Sequence, residues 1–111
     1  MLTVYRTCQH NPPQADDFSS NKDQGEPQLE GQTVEDWQCI STFSDMKVNK
    51  AKTKLFNHGE YLVELVIEDD GPIRVGTIGR KSKHVYVCGT PETFLAIVKP
   101  ERVFHVDDVE D

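Results

Sequence analysis

The segment from Thr33 to Leu65 constrains the fold of this 111-residue chain more than any other. It contains the only tryptophan, Trp37, and directly after it a run of strand-forming residues, Cys39 to Phe43. A lone tryptophan followed by β-branched and aromatic residues is typical of the place where a small domain builds its core. We therefore expect Trp37 to anchor the core, whereas the segment predicts little about chemistry.

The length and composition of the chain indicate one globular domain with a single modest core. Hydrophobic residues make up 36% of the chain and charged residues 28%, and the net charge is -7. No apolar run reaches the roughly 18 residues that a membrane span needs. The first residues lack the basic and apolar regions of a signal peptide. We expect an α+β domain over residues 1–106 with an acidic tail, 107–111, in the cytoplasm of a bacterium.

Hydrophobic periodicity and turn residues predict the order of the secondary structure. Strand patterns cover residues 2–8, 38–43, 60–68, 73–78, 84–88 and 102–106. Helix start signals stand at Ser44 and at Thr90-Pro91, and a capped turn begins at Thr33. These elements predict a small, curved, mostly antiparallel sheet of about six strands with two short helices and a long N-terminal loop.

Two segments carry more specific expectations about packing. The helix after Ser44 places Val48, Ala51 and Leu55 at helical spacing on one face, which we expect to be buried. The polar stretch 9–32 is long for a loop inside a compact domain. It is therefore either a mobile arm or a loop pinned by its two large hydrophobic residues, Phe18 and Leu29.

The cysteine and histidine residues show no framework of disulfides or metal ligands. An odd number of cysteines without a secretory signal argues against disulfides, so Cys39 and Cys88 are interpreted as small buried hydrophobic residues. Cys8 and His10 are close in sequence, but the chain has no paired ligands at the spacing of a structural zinc site. We expect no metal and no cofactor.

The charge distribution argues against nonspecific binding to nucleic acid, because such binding needs clustered cations on a chain that is not acidic overall. Two basic segments, 47–54 and 80–83, keep a nucleic-acid-binding accessory protein as an alternative. That alternative requires the two segments to form one continuous surface.

A polar and aromatic pattern on the strand 84–88 suggests a binding pocket. His84 and Tyr86 alternate with valines and therefore share one face of the strand. If Tyr5 and Arg6 lie on a neighbouring strand, these four side chains form a pocket of the kind that binds small molecules. The binding residues predicted from the sequence are Tyr5, Arg6, His84 and Tyr86.

Several short motifs occur in a consistent order along the chain: Tyr5-Arg6-Thr7, Pro12-Pro13, Asp17-Phe18-Ser19-Ser20, Glu35-Asp36-Trp37, Ile40-Ser41-Thr42-Phe43, Tyr61 to Leu65, Ile73-Arg74-Val75 and His84 to Glu92. Together they resemble a family of short, single-domain bacterial proteins whose activity is uncharacterised. This resemblance covers nearly the whole chain. It implies an order of elements and no particular reaction.

A more remote resemblance concerns Arg6 on the first strand, Ser41-Thr42 on the second, and a late Glu92 or Glu64. This set is similar to the split catalytic constellation of the ADP-ribosyltransferase fold. The resemblance implies that the cation and the hydroxyl hold the pyrophosphate and nicotinamide ribose of NAD. It also implies that the carboxylate stabilises an oxocarbenium-like centre. The catalytic candidates are accordingly Arg6, Ser41, Thr42 and Glu92.

The leading hypothesis from the sequence is a binding or protein-interaction module without catalytic activity. It would contact a protein partner or a second copy of itself through a strand edge or the apolar surface near Trp37, and a small-molecule ligand is compatible with it. The alternative is a small ADP-ribosyltransferase-like enzyme or toxin. The enzyme hypothesis requires Arg6, Ser41 or Thr42, and one glutamate to converge on a cleft, whereas the interaction hypothesis predicts an exposed apolar patch.

Overall fold

The structure, a computed structural model, describes residues 1–56, 59–79 and 83–109. Its six strands are β1 (Leu2–Cys8), β2 (Ile40–Phe43), β3 (Tyr61–Ile67), β4 (Arg74–Ile78), β5 (His84–Cys88) and β6 (Val103–His105). The helices are α1 (Val34–Gln38), α2 (Met46–Phe56) and α3 (Pro91–Ala96), and 3₁₀ turns lie at Ala15–Phe18, Pro100–Arg102 and Val106–Asp108. The α+β class predicted from the sequence is confirmed. No helix in the described ranges is long and apolar enough to cross a membrane.

The six strands form one sheet in the order β4-β5-β2-β1-β3-β6, and every pairing is antiparallel. The central strand β1 pairs with β3 along its whole length, from Leu2 opposite Ile67 to Cys8 opposite Tyr61. On its other side β1 pairs with β2 only at Tyr5, opposite Phe43. The sheet is therefore continuous between β1 and β3 but loses its ladder between β1 and β2.

The hydrophobic core lies on one face of the sheet, under the loop that follows β1 and under α3. Phe18 from the loop and Phe94 from α3 are both fully buried, and their rings stack at a centroid distance of 5.8 Å. Phe18 therefore pins the polar stretch 9–32, which agrees with one of the two alternatives that the sequence left open. Leu29 does not contribute to this anchor, because it is 63% exposed.

The prediction that Trp37 anchors the core is wrong. Its side chain is only partly buried, and the indole Nε1 donates to the carbonyl oxygen of Glu26 at 2.8 Å. The ammonium group of Lys22 lies 5.7 Å from the centre of the indole ring. The indole needs a partner for its N–H group, and it finds one in the loop that precedes α1. Trp37 thus holds that loop, while phenylalanine and the β-strand residues fill the core.

The buried face of α2 also differs from the prediction. Leu55 is 72% exposed and Ala51 is exposed, whereas Asn49, Lys50 and Thr53 are buried. Most of these buried polar groups form hydrogen bonds, among them one from the Lys50 ammonium group to the carbonyl oxygen of Val109. The apolar spacing predicts the wrong buried face, because the buried face of α2 forms hydrogen bonds with polar partners instead of packing on the hydrophobic core.

Cys39 and Cys88 form a disulfide, so the interpretation of these residues as separate buried hydrophobes is wrong. The ladder between β2 and β5 pairs Ile40 with Val87, which brings the two cysteines to a Cα–Cα distance of 4.4 Å. Disulfides persist mainly in oxidising compartments. The cytoplasmic location therefore stays a prediction, and this bond weighs against it. Burial raises the pKa of the remaining thiol, Cys8, to about 12, which makes that thiol unreactive.

Candidate functional site

A cleft of about 660 Å³ opens where the ladder between β1 and β2 ends. Its walls are Arg6 and Thr7 from β1, Ser41 and Phe43 from β2, and Asn49 and Lys52 from α2. The loop after β1 closes the cleft with polar residues between Gln9 and Gln24. The missing ladder leaves room between the strands, and the loop that Phe18 pins forms the opposite wall.

Arg6 bridges the gap between the two strands. Its Nε donates to the carbonyl oxygen of Asp17 at 2.7 Å, and one terminal nitrogen donates to the carbonyl oxygen of Ser41 at 2.7 Å. Burial lowers the pKa of Arg6, although Cys8 and Asp17 partly oppose this effect. Within the part of the chain that the structure describes, no carboxylate forms an ion pair with this guanidinium group. The cleft therefore contains a desolvated positive charge that no described carboxylate pairs.

Asp17 lies close to Arg6, but its carboxylate is engaged elsewhere. It accepts hydrogen bonds from the backbone N–H groups of Gln9 and Gln14, both at 2.9 Å, and contacts His10 Nδ1 at 3.1 Å. His10, Asp16 and Asp17 place their ligand atoms within 4.8 Å of one another, a grouping that the sequence did not reveal. Because both oxygens of Asp17 already accept hydrogen bonds, we assign this group to holding the loop. The expected absence of a metal stays a prediction.

Ser41, His84 and Tyr86 form a connected group beside the cleft. The hydroxyl group of Ser41 is hydrogen-bonded to His84 Nε2. The His84 ring meets Tyr86 edge-on at a centroid distance of 4.5 Å and lies 5.3 Å from the Phe43 ring. Burial lowers the pKa of His84, and the carboxylate of Asp36 opposes that shift. Burial, with a smaller contribution from Asp36, raises the pKa of Tyr86.

Tyr5 belongs to a different cluster from the other three residues predicted to bind. Its hydroxyl group donates to Glu64 Oε2 at 3.1 Å, and Arg102 binds the same carboxylate through two nitrogens at 2.9 and 2.5 Å. These hydrogen bonds, chiefly those from Arg102, lower the pKa of Glu64. Of the four residues, Arg6, His84 and Tyr86 are linked through Ser41, whereas Tyr5 pairs with Glu64.

The catalytic candidates taken from the ADP-ribosyltransferase resemblance are only partly brought together. Arg6 and Ser41 meet in the cleft. Thr42 is fully buried on the opposite face of β2, where its hydroxyl group donates to the carbonyl oxygen of Val85 at 2.7 Å. Glu92 is exposed in the first turn of α3. Among the described residues that line the cleft, the acidic ones are Asp16 and Asp17, so neither Glu92 nor Glu64 borders it.

Asn49 is one of the cleft residues that the sequence analysis missed. It is 2% exposed, and its Nδ2 donates to Thr7 Oγ1 at 3.2 Å. Its Oδ1 is buried and has no hydrogen-bond partner among residues 1–56, 59–79 and 83–109. The available signal was the pair Asn49 and Thr53, two uncharged polar residues four positions apart on one helix face.

The two surfaces expected for macromolecular partners have less structural support. The large exposed hydrophobic residues come from five different segments: Met1, Leu29, Val34, Leu55 and Ile78. The first basic segment lies on α2, but Arg80 and Lys81 of the second lie outside the described residues. That the two basic segments form one continuous surface therefore stays a prediction. The nucleic-acid hypothesis, which depends on it, stays a prediction as well.

The cleft thus combines a half-buried, desolvated cation, an amide oxygen that no described residue pairs, a serine hydroxyl group and an aromatic wall. Such a set can bind and orient a small polar molecule, because a few fixed polar groups determine which atoms fit. Comparison of the chain with protein-family models, with curated proteins and with solved structures found no match.

Proposed function

We propose that the protein is a binding module without catalytic activity, and that its ligand is a small organic anion held in the cleft. The observation that carries this proposal is the guanidinium group of the half-buried Arg6, which is desolvated and contacts two carbonyl oxygens but no carboxylate in the described structure. A buried charge is stabilised when an opposite charge reaches it with good hydrogen-bond geometry. An anionic ligand supplies that charge.

The shape of the cleft supports a small ligand more than a protein surface. Its volume of about 660 Å³ lies within the range of roughly 300–1,000 Å³ that is common for small-molecule sites. Phe43 provides an aromatic wall, and the remaining lining is mostly polar. Association with a protein partner or with a second copy stays a weaker proposal, because the exposed hydrophobic residues are scattered over separate segments.

The first experiment is a thermal-shift titration with inorganic phosphate, nucleoside phosphates, NAD, dicarboxylates and short oligonucleotides. A ligand that binds only the folded protein raises its melting temperature in a saturable way. We expect this response from at least one small anion, and we expect Arg6→Gln to abolish it. Arg102→Gln is the matched control, because Arg102 pairs with Glu64 outside the cleft. A flat response across the panel, or an equal response in both variants, contradicts the proposal.

ADP-ribosyl transfer is the second candidate function. The observation in its favour is that Arg6 and Ser41 meet at one cleft, as that chemistry requires of its cation and hydroxyl group. The carboxylate for such a reaction has to come from Asp16 or Asp17, the acidic residues described on the cleft wall. The test is release of nicotinamide from NAD by the wild type and by Asp16→Asn. Binding of NAD without release favours the binding module, whereas release that both Arg6→Gln and Asp16→Asn abolish favours the enzyme.

A further inference from the structure

We propose that Asn49 makes the α2 wall of the cleft selective for ligands that donate a hydrogen bond, an inference that rests on the cleft being the ligand site. The ligand class is then an organic anion that carries an amide or hydroxyl group a few bonds from its charge. In this assignment Asn49 contacts the ligand, and Thr53 acts as a positioning residue that fixes the orientation of the Asn49 amide.

The orientation follows from a closed set of hydrogen bonds between α2 and β1. Thr53 Oγ1 donates to the carbonyl oxygen of Asn49 at 2.7 Å, which uses the only hydrogen of that hydroxyl group. Thr7 Oγ1 lies 2.5 Å from Thr53 Oγ1 and must therefore be the donor of that pair. Thr7 then offers only lone pairs to Asn49. The amide nitrogen of Asn49, and not its oxygen, has to face Thr7.

The hydrogen bonds among Thr7, Asn49 and Thr53 leave Asn49 Oδ1 as an acceptor without a partner among the described residues. That oxygen is buried, and none of the described residues donates to it. Asn49 nevertheless borders the cleft, so its side chain lies next to the space that a ligand would occupy. A buried acceptor that stays unpaired costs free energy, and a ligand N–H or O–H group removes that cost. A ligand that offers only acceptors leaves the cost in place and adds repulsion between oxygens.

Arg6 and Asn49 therefore place opposite requirements on the two ends of one ligand. Arg6 requires an anionic oxygen, and Asn49 requires a donor on a part of the ligand that reaches α2. Sites that hydrogen-bond one group of a substrate discriminate strongly against analogues that lack it, because the protein group is then left unpaired. The role of Asn49 is therefore measured by the ratio of the affinities of two matched ligands, and not by the affinity of one ligand.

The test uses pairs of carboxylates of equal length that differ at one atom: N-methylmalonamate, N-methylsuccinamate and N-methylglutaramate against monomethyl malonate, monomethyl succinate and monomethyl glutarate. The amide member donates, whereas the ester member only accepts. Affinities come from titrations followed by the ¹H–¹⁵N spectra of the protein, which include the Asn49 side-chain amide. We expect the amide of the best pair to bind about tenfold tighter or more, as one hydrogen bond gained in place of an unpaired acceptor implies.

Two variants assign that ratio to Asn49. In Asn49→Leu the ratio falls to about one, because the acceptor is absent. In Thr53→Val the Thr7 hydroxyl group is free to donate to Asn49, so the amide turns and the ratio also falls or reverses. Thr42→Val is the matched control: Thr42 is as buried as Thr53 but donates to Val85, and we expect the wild-type ratio. A merely structural role of Thr53 lowers stability without changing the ratio.

The outcomes separate this proposal from the function on which it rests. Equal affinity of the amide and the ester in the wild type overturns the donor-selective subsite and leaves the anion-binding cleft intact. Absence of binding by either member at every length overturns both. A wild-type preference for amides that survives in Asn49→Leu and Thr53→Val overturns the assignment to Asn49.

Discussion

The two sides of β1 behave differently. Towards β3 the strand pairs through all seven of its residues, and buried side chains such as Val4 and Leu65 face each other across the ladder. Towards β2 it pairs at Tyr5 alone, and the cleft occupies the space beyond. One strand thus has a fully paired side towards β3, the closed seam, and a side towards β2 that is paired at one residue and borders the cleft, the open seam.

The two arginines beside these seams show the same contrast. Arg102 binds Glu64 on β3 through two hydrogen bonds, and Tyr5 completes that cluster, so its charge is matched within the protein. Arg6 donates only to carbonyl oxygens among the described residues, and its half-buried charge is desolvated. A matched surface charge needs no ligand, whereas a desolvated and unmatched one is stabilised by an anion.

The largest expected effect concerns the disulfide. It joins Cys39, just before β2, to Cys88 at the end of β5, on the side of β2 that faces away from β1. Cys39 and Cys88 are 49 positions apart, and the chain-entropy relation gives about 4 kcal/mol for a loop of this length. We expect Cys39→Ala/Cys88→Ala, or reduction of the wild type, to lower the free energy of unfolding by about this amount. Urea denaturation with and without reductant measures it. The double variant is its own control, since reductant should not affect it further.

The second prediction compares how much stability the closed seam and the open seam each contribute. Leu65 on β3 is fully buried, and Leu65→Ala should cost about 3 kcal/mol, because truncation of a core leucine removes apolar contacts and leaves a cavity. Phe43 lines the cleft and is only partly buried, so Phe43→Ala should cost about 1 kcal/mol. Urea denaturation of both variants checks the order. An equal or larger loss in Phe43→Ala would mean that the open seam carries as much of the stability as the closed one.

The sequence predicted the closed seam better than the open one. Alternation located β1, a nearly continuous apolar run located β3, and Thr90-Pro91 located α3, because these signals depend on neighbouring residues. The disulfide and the contact of Arg6 with Ser41 depend on which strands are neighbours and in which register, which local patterns do not determine. Asn49 escaped notice because its importance comes from one oxygen that lacks a partner.

A smaller effect tests the matched arginine. Hydrogen bonds from Arg102 and Tyr5 hold the pKa of Glu64 below its ordinary value of 4.5. The stabilisation is therefore present above that value and disappears as the pH falls through the lower pKa of the folded state. Because the cluster is partly exposed, we expect Glu64→Gln to cost about 1 kcal/mol or less at pH 7. Urea denaturation at pH 7 and in acid should show the two proteins converging at low pH, and a constant difference would exclude this electrostatic origin.

The smallest effect concerns His84, next to the open seam. Burial holds its pKa below 6.5, and the Asp36 carboxylate limits that decrease. Since the unfolded chain takes up the proton first, the contribution to stability is present above pH 6.5 and is lost as the pH falls below it. Titration followed by ¹H–¹⁵N spectra of the imidazole should give a value below 6.5, and Asp36→Asn should lower it further. If Asp36→Asn left that pKa unchanged, His84 would be governed by desolvation alone, and Asp36 would have no electrostatic role at the Ser41 wall of the cleft.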